Sequence, residues 1–330
     1  MADLTTQLGS LTLPNPVLTA SGCSAAGREL GQFFDVSRLG AVVTKSIMTR
    51  PRSGRPTPRM AETPSGMLNS IGLQGPGIDS FIENDLAWLA EQGARTVVSI
   101  AGGHTDEYVA LARKLYGHPA VSMIEVNISC PNVESRGQVF ACDPIASSRV
   151  IGAVRRAADP AQPVFAKLSP DVTDLVFIAR ACADAGADGF SLINTLLGMV
   201  IDTDTMAPAL GGITGGLSGP AIRPVAVRCV WQVKKALPHL PILGMGGIRS
   251  GLDALQFILA GASAVSVGTA VFGDPNAPIR VLDELDAALD ERGFASLADA
   301  VGYAHRDPAD RLSPASGRYP HPAAAEAAAQ

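Results

Sequence analysis

Eight short apolar runs recur along this chain, each closed by glycine, serine, lysine or asparagine, with helix-forming stretches between them. The runs are Val17–Ala20, Ala41–Thr44, Thr96–Ile100, Met123–Ile128, Val164–Leu168, Gly189–Ile193, Ile242–Leu243 and Ala264–Val267. Each is apolar almost throughout, as a strand buried on both faces of a parallel sheet must be. The stretches between and after them, about 26–39, 78–93, 105–117, 143–158, 172–186, 220–237, 250–261 and 276–292, are the expected helices. Asp143-Pro144 and Ser169-Pro170-Asp171 are start signals, and Gly93, Gly186 and Gly261 are stop signals. Eight β-then-α units in succession predict an α/β chain folded as a (β/α)8 barrel, the TIM-barrel architecture, rather than an open sheet. Ahead of them, Leu4 to Pro16 turns at Gly9-Ser10, which predicts an N-terminal β-hairpin.

A length of 330 residues accommodates one such barrel, which needs about 250, with extra loops. The expected division is a barrel over 1–312 and a disordered Pro/Ala-rich tail over 313–330. Hydrophobic residues make up 47% and aromatics only 5%, so the core is aliphatic. A net charge of −5 without a dense basic cluster excludes a nucleic-acid footprint. The start MADLTTQLGS lacks the basic and apolar regions of a signal peptide, and no run approaches the ~20 residues of a membrane span, so a soluble cytoplasmic protein is expected. Cys23, Cys130, Cys142, Cys182 and Cys229 are scattered and include no C-x-x-C pair; neither a disulfide framework nor a metal or iron–sulfur site is written here.

Chemistry concentrates after the strands, where barrel enzymes place their sites. Gly244-Met245-Gly246-Gly247 and Gly268-Thr269 follow the last two runs, and Gly219 precedes a helix; together they suit a phosphate, against the alternative of plain tight turns. Lys45 and Lys167 end buried runs, where a lysine must either snorkel out to the surface or meet a negative partner; two on barrel strand ends favour a shared anionic ligand over surface lysines. Lys167 has two functional readings: a charge beside an electron-accepting ring, or the Schiff-base lysine of a barrel aldolase. Asn69, Asn127, Asn132 and Asn194 offer donors and acceptors to a planar ligand, although each alone is equally a turn residue. Cys130, in a loop at the catalytic end, is the candidate general base, whereas Cys23, Cys182 and Cys229 suit packing. The long connections 46–77 and 194–219 are expected to be lids or binding loops.

These residues resemble the dihydroorotate dehydrogenase family, from about Leu11 to Arg306. The resemblance lies in Thr44-Lys45-Ser46, Leu68 to Leu73, Asn127-Ile128-Ser129-Cys130-Pro131-Asn132, Lys167-Leu168-Ser169-Pro170, Ile193-Asn194-Thr195, Gly215 to Pro220, Gly244 to Gly247 and Val267-Gly268-Thr269-Ala270. It implies one FMN in the barrel mouth, surrounded by Ser21, Lys45, Ser46, Ser99, Asn127, Lys167, Ile193, Gly219, Gly246, Gly247, Gly268 and Thr269. Dihydroorotate or orotate would be held by Lys45, Asn69, Ser70, Ile71, Gly72, Leu73, Asn127, Asn194 and Thr195, with Cys130 as base. Cysteine at that position, where class 2 members carry serine, resembles class 1.

Arg136 to Phe140 with Asp143-Pro144, Leu196 to Met199 and Gly216 to Ile222 look like the NAD-linked type B catalytic subunit. In that type a second polypeptide carries FAD and a 2Fe–2S cluster, and the whole is a heterotetramer built on a homodimer. The alternatives are a fumarate-linked type A enzyme, a dihydropyrimidine dehydrogenase-like reductase, the Schiff-base aldolase, and a barrel that only binds a ligand. Two positions depart from the family pattern: glycine at 75 and serine at 99, where asparagine is expected.

Overall fold

The computed structural model describes residues 2–129 and 140–307. All eight expected runs are strands of one parallel sheet: β1 (Val17–Thr19), β2 (Val42–Val43), β3 (Thr96–Ile100), β4 (Met123–Asn127), β5 (Val164–Leu168), β6 (Gly189–Leu192), β7 (Ile242–Met245) and β8 (Ala264–Val267). The order β1-β8-β7-β6-β5-β4-β3-β2 leaves β1 and β2 as the two edges. A parallel bridge between Leu18 and Ala41 joins them. Thr19 reinforces the seam: its Oγ1 donates to the Val43 carbonyl at 3.1 Å and accepts from the Val43 N–H at 2.8 Å. One hydroxyl thus does the work of two ladder bonds, and the barrel is closed.

Side chains on a strand alternate with a period of two. Leu18, Val43, Val97, Met123, Phe165, Leu243 and Ala264 form the inner cluster, plugged from below by Leu8 and Leu13 of the N-terminal hairpin Thr6–Leu8 and Leu11–Leu13. Val42, Val98, Ile124, Val126, Val164, Ala166, Phe190 and Val265 belong to the cluster shared with the helices outside. The next inward position on each strand, two residues on, is therefore Ala20, Lys45, Ser99, Glu125, Lys167, Met245 and Ser266, with Ser191 on β6. Within one pleat repeat, about 6.6 Å, the interior turns from apolar to mostly polar, with Met245 and Ala20 as the apolar members.

Six of the expected helices appear as Thr105–Leu115, Pro144–Ala157, Leu175–Asp184, Arg223–Ala236, Gly251–Ala260 and Ala277–Asp290. Asp143 caps the second through the N–H groups of Ile145 and Ala146. The helix expected over 78–93 is continuous but contains a π turn, Phe81–Leu86. The one expected over 26–39 does not form. Ala25 and Gly27 have φ of 44° and 89°, and Asp35 is extended with its carboxylate accepting the Ser37 N–H, so only the short 3₁₀ turns Leu30–Gln32 and Val36–Arg38 remain.

The connections expected as loops also differ from expectation. Met60–Thr63, Gly66–Asn69, Gly215–Ser218 and Leu196–Gly198 make a four-stranded antiparallel sheet above the barrel. Glycines hide two of these strands from a hydrophobic pattern. Among the described residues no helix is long and apolar enough to cross a membrane.

Gly189 occupies the inward position facing Phe165, and a Cβ there would overlap the fully buried Phe165 ring. Gly189→Ala is expected to lower stability by about 1–3 kcal/mol through overpacking, measured by urea unfolding.

Candidate active site at the barrel mouth

A cavity of about 480 Å³ opens above the polar layer. Ser21, Lys167, Ile193, Asn194, Thr195, Gly219, Gly246, Gly247, Gly268 and Thr269 all line it, so ten expected residues from separate strand ends converge. Ile193 follows a cis peptide bond from Leu192. Three further expected residues form a hydrogen-bonded chain beside it. Ser46 Oγ lies 3.3 Å from Ser21 Oγ and 2.9 Å from Ser99 Oγ, and it accepts from Asn127 Nδ2 at 3.0 Å. The serine at 99 therefore keeps a polar link to Ser46 despite its departure from asparagine. Asn127 is fixed on both sides, because its carbonyl accepts from the Tyr108 hydroxyl at 2.8 Å and its Oδ1 accepts from the Ser129 N–H at 3.2 Å. Lys45 reaches the same wall; a Cβ on Gly22 would lie 3.4 Å from its Nζ.

The glycines build a surface of bare backbone. Gly219, Gly246 and Gly247 have φ of 92°, 134° and 75°, where L side chains are strained. A Cβ on Gly247 would lie 2.5 Å from the Gly219 carbonyl oxygen, and one on Gly219 would lie 2.8 Å from Gly66 Cα. Three turns therefore meet at distances only glycine permits. Beside them Thr269 Oγ1 lies 2.8 Å from Ser218 Oγ, and the buried Ser266 Oγ, also on the cavity wall, meets no hydrogen-bond partner among the described residues. An amide-rich cradle at one end and a buried ammonium with a free hydroxyl below fit a planar cofactor that carries a phosphate.

Behind the cradle stands a network that motif reasoning missed. Buried Asp253 pairs with Arg223 at 2.7 Å and accepts the Arg249 N–H at 3.0 Å, while Arg223 donates to the Gly247 carbonyl at 3.2 Å. Arg249 itself lines the cavity. Its place two residues beyond the glycine pair is the signal that could have found it. Cys23, expected to pack, also lines the cavity; burial pushes its thiol up, opposed by Lys167 and Lys45. Cys182 does pack, and burial pushes it up to about 12.

The expected substrate loop, Asn69 to Leu73, is anchored away from the cavity lining. Asn69 Nδ2 donates to the Gly216 carbonyl at 3.3 Å, Arg55 Nη1 to Ser70 Oγ at 3.3 Å, and the Arg55 N–H to the Ile71 carbonyl at 3.0 Å. Gly72 and Leu73 both take positive φ, of 76° and 57°. Asn69 is nevertheless tied to the wall, since Gly216 packs against Thr195. Gly75 has open space where a side chain would go, so an asparagine would fit there. Cys130, Asn132 and the stretch from Arg136 to Val139 lie outside the described residues.

Gly247→Ala is expected to displace the 219–220 backbone and weaken a phosphate-bearing ligand at least about tenfold, at a folding cost of about 1–3 kcal/mol, checked by calorimetric titration with FMN and by thermal melting.

The family model described as dihydroorotate dehydrogenase matches residues 3–289. The chain is 51% identical over 300 residues to a Pelobacter propionicus protein named dihydroorotate dehydrogenase B (NAD(+)), catalytic subunit, covering 91% of this chain and 98% of that one. Proteins of the same name from Geobacter sulfurreducens and Desulforudis audaxviator are 48% and 50% identical, each over 91% of this chain and 97% and 96% of theirs. With the closed barrel, the glycine cradle and the lysine-bearing mouth, this similarity places the chain in the dihydroorotate dehydrogenase family.

Proposed function

We propose that this chain oxidises (S)-dihydroorotate to orotate in pyrimidine biosynthesis, with FMN as its bound carrier and NAD as final acceptor. The observation that carries the reading is the convergence on one cavity of the Gly219, Gly246 and Gly247 cradle and Lys167, with the Ser46–Asn127 chain beside it. The near full-length identity to NAD-linked catalytic subunits supports the choice of acceptor.

FMN, when bound, supplies a two-electron acceptor. The cradle and Thr269 would hold its phosphate, and Ser21, Ser46, Ser99, Asn127 and Lys167 would hold its ring. Lys45, Asn127, Asn194 and Thr195 would orient the dihydroorotate ring and carboxylate, and the loop from Asn69 to Leu73, anchored beside the cavity lining, would add contacts to it. Cys130 would be the base for the C5 proton, and FMN would supply the acceptor for the C6 hydride. Lys45 would offer a carboxylate substrate a charge-assisted hydrogen bond at the mouth.

A partner subunit carrying FAD and a 2Fe–2S cluster completes the path to NAD, in a heterotetramer built on a homodimer and working in the cytoplasm. The word "subunit" in the relatives' names supports that partner. The fumarate-linked and dihydropyrimidine-reducing alternatives, and the Schiff-base aldolase, draw no comparable support.

Two results test this. Co-expressed with an electron-transfer subunit of the NAD-linked type, the chain should form NADH from NAD and dihydroorotate, and alone it should reduce fumarate poorly; efficient fumarate reduction by the chain alone refutes the NAD-linked reading. Cys130→Ser should slow reduction of the bound flavin at neutral pH by about 10²–10⁴-fold, the range of a lost general base, as followed by stopped-flow absorbance. A rate near wild type would remove Cys130 from that role.

A further inference from the structure

Among the described residues two carboxylates are buried, and they are treated very differently. Asp253 is satisfied by Arg223 at 2.7 Å and by the Arg249 N–H at 3.0 Å. Glu125 is wholly inaccessible, and among the described residues no hydrogen bond reaches either of its oxygens and its one ion-pair partner is Lys167 Nζ at 3.6 Å. That separation is an ion pair but too long for a hydrogen bond. A buried carboxylate left so poorly solvated is costly, and a hydrophobic residue would fill the site at less expense of stability.

Its position shows what it acts on. Glu125 lies on β4 beside Phe165 of β5, and the neighbouring register pair is Asn127 with Lys167. Both Glu125 and Lys167 occupy the inward polar layer, and only Lys167 continues into the cavity wall. The ammonium is thus held from below by charge alone, with no hydrogen bond to its partner, so its N–H groups stay free to face the cavity. In this water-poor interior the carboxylate also cancels part of the field that Lys167 sends upward.

We propose that Glu125 is a positioning residue that anchors Lys167 at the cavity floor and, by offsetting its charge, sets the reduction potential of a flavin bound above it. The proposal rests on the FMN reading given above. Addition of a hydride to the neutral oxidised ring leaves an anion, which a positive floor stabilises. Glu125 therefore holds the potential below the value Lys167 alone would impose.

The test is the two-electron potential of FMN bound to the isolated full-length chain, measured anaerobically against reference dyes, for wild type and Glu125→Gln. Glutamine keeps the length and removes the charge. The variant is expected to favour reduced flavin at least tenfold more, a rise of about 30 mV for a two-electron couple. An unchanged or lowered potential in a folded, FMN-bound variant overturns the proposal, since a merely structural role would not raise it. A wild-type chain that binds no FMN instead overturns the flavin reading, and this proposal with it.

Should Glu125→Gln fail to fold, Lys167→Gln is compared with the double variant Glu125→Gln/Lys167→Gln. The single change strands a buried carboxylate, so the double variant should melt higher. A double variant that melts no higher overturns the pairing.

Discussion

Everything at the mouth of this barrel depends on closure. An open sheet would leave β1 and β2 as edges, and the inward residues of its strands would not face one another. The Leu18–Ala41 bridge and the double role of Thr19 bring those edges together, and the period of two then forces alternate residues of all eight strands into one interior. Met123, Phe165 and Val97 fill it at one level; Glu125, Lys167 and Ser99 must share the next. The site is the continuation of the core by one pleat, with polar residues substituted for apolar ones.

That arrangement explains how a lysine is tolerated in so dry a place. Lys167 is ion-paired with Glu125, which no described group hydrogen-bonds. Ser46 joins three strand ends through Ser21, Ser99 and Asn127, which fixes the adjoining wall without adding charge. The glycine cradle is held independently, by Asp253 and Arg223 behind Gly247. Charge for a ring and amides for a phosphate thus come from separate supports, and a change in one need not disturb the other.

The barrel was legible because buried parallel strands are continuous apolar runs, and the mouth was legible because lysine, asparagine and paired glycines end those runs. Three features were not. The four-stranded sheet over the mouth is built partly from Gly215 and Gly216, whose lack of side chains lets Thr195 and Leu210 pack against the strand but erases its hydrophobic signature. The absent helix over 26–39 has adequate apolar spacing, yet Gly27 and Asp35 favour turns over a continued ladder. Glu125 interrupts the run Met123–Ile128, and only its spacing of two from Met123 reveals that it faces the barrel interior rather than a helix.

The most direct measurement of the central claim is anaerobic titration of the isolated, FMN-loaded chain with dihydroorotate, following flavin absorbance and product together. The account predicts that the flavin bleaches fully and that one orotate appears for each flavin reduced. A flavin that stays oxidised in the presence of excess dihydroorotate, or a chain that takes up no FMN, would contradict it.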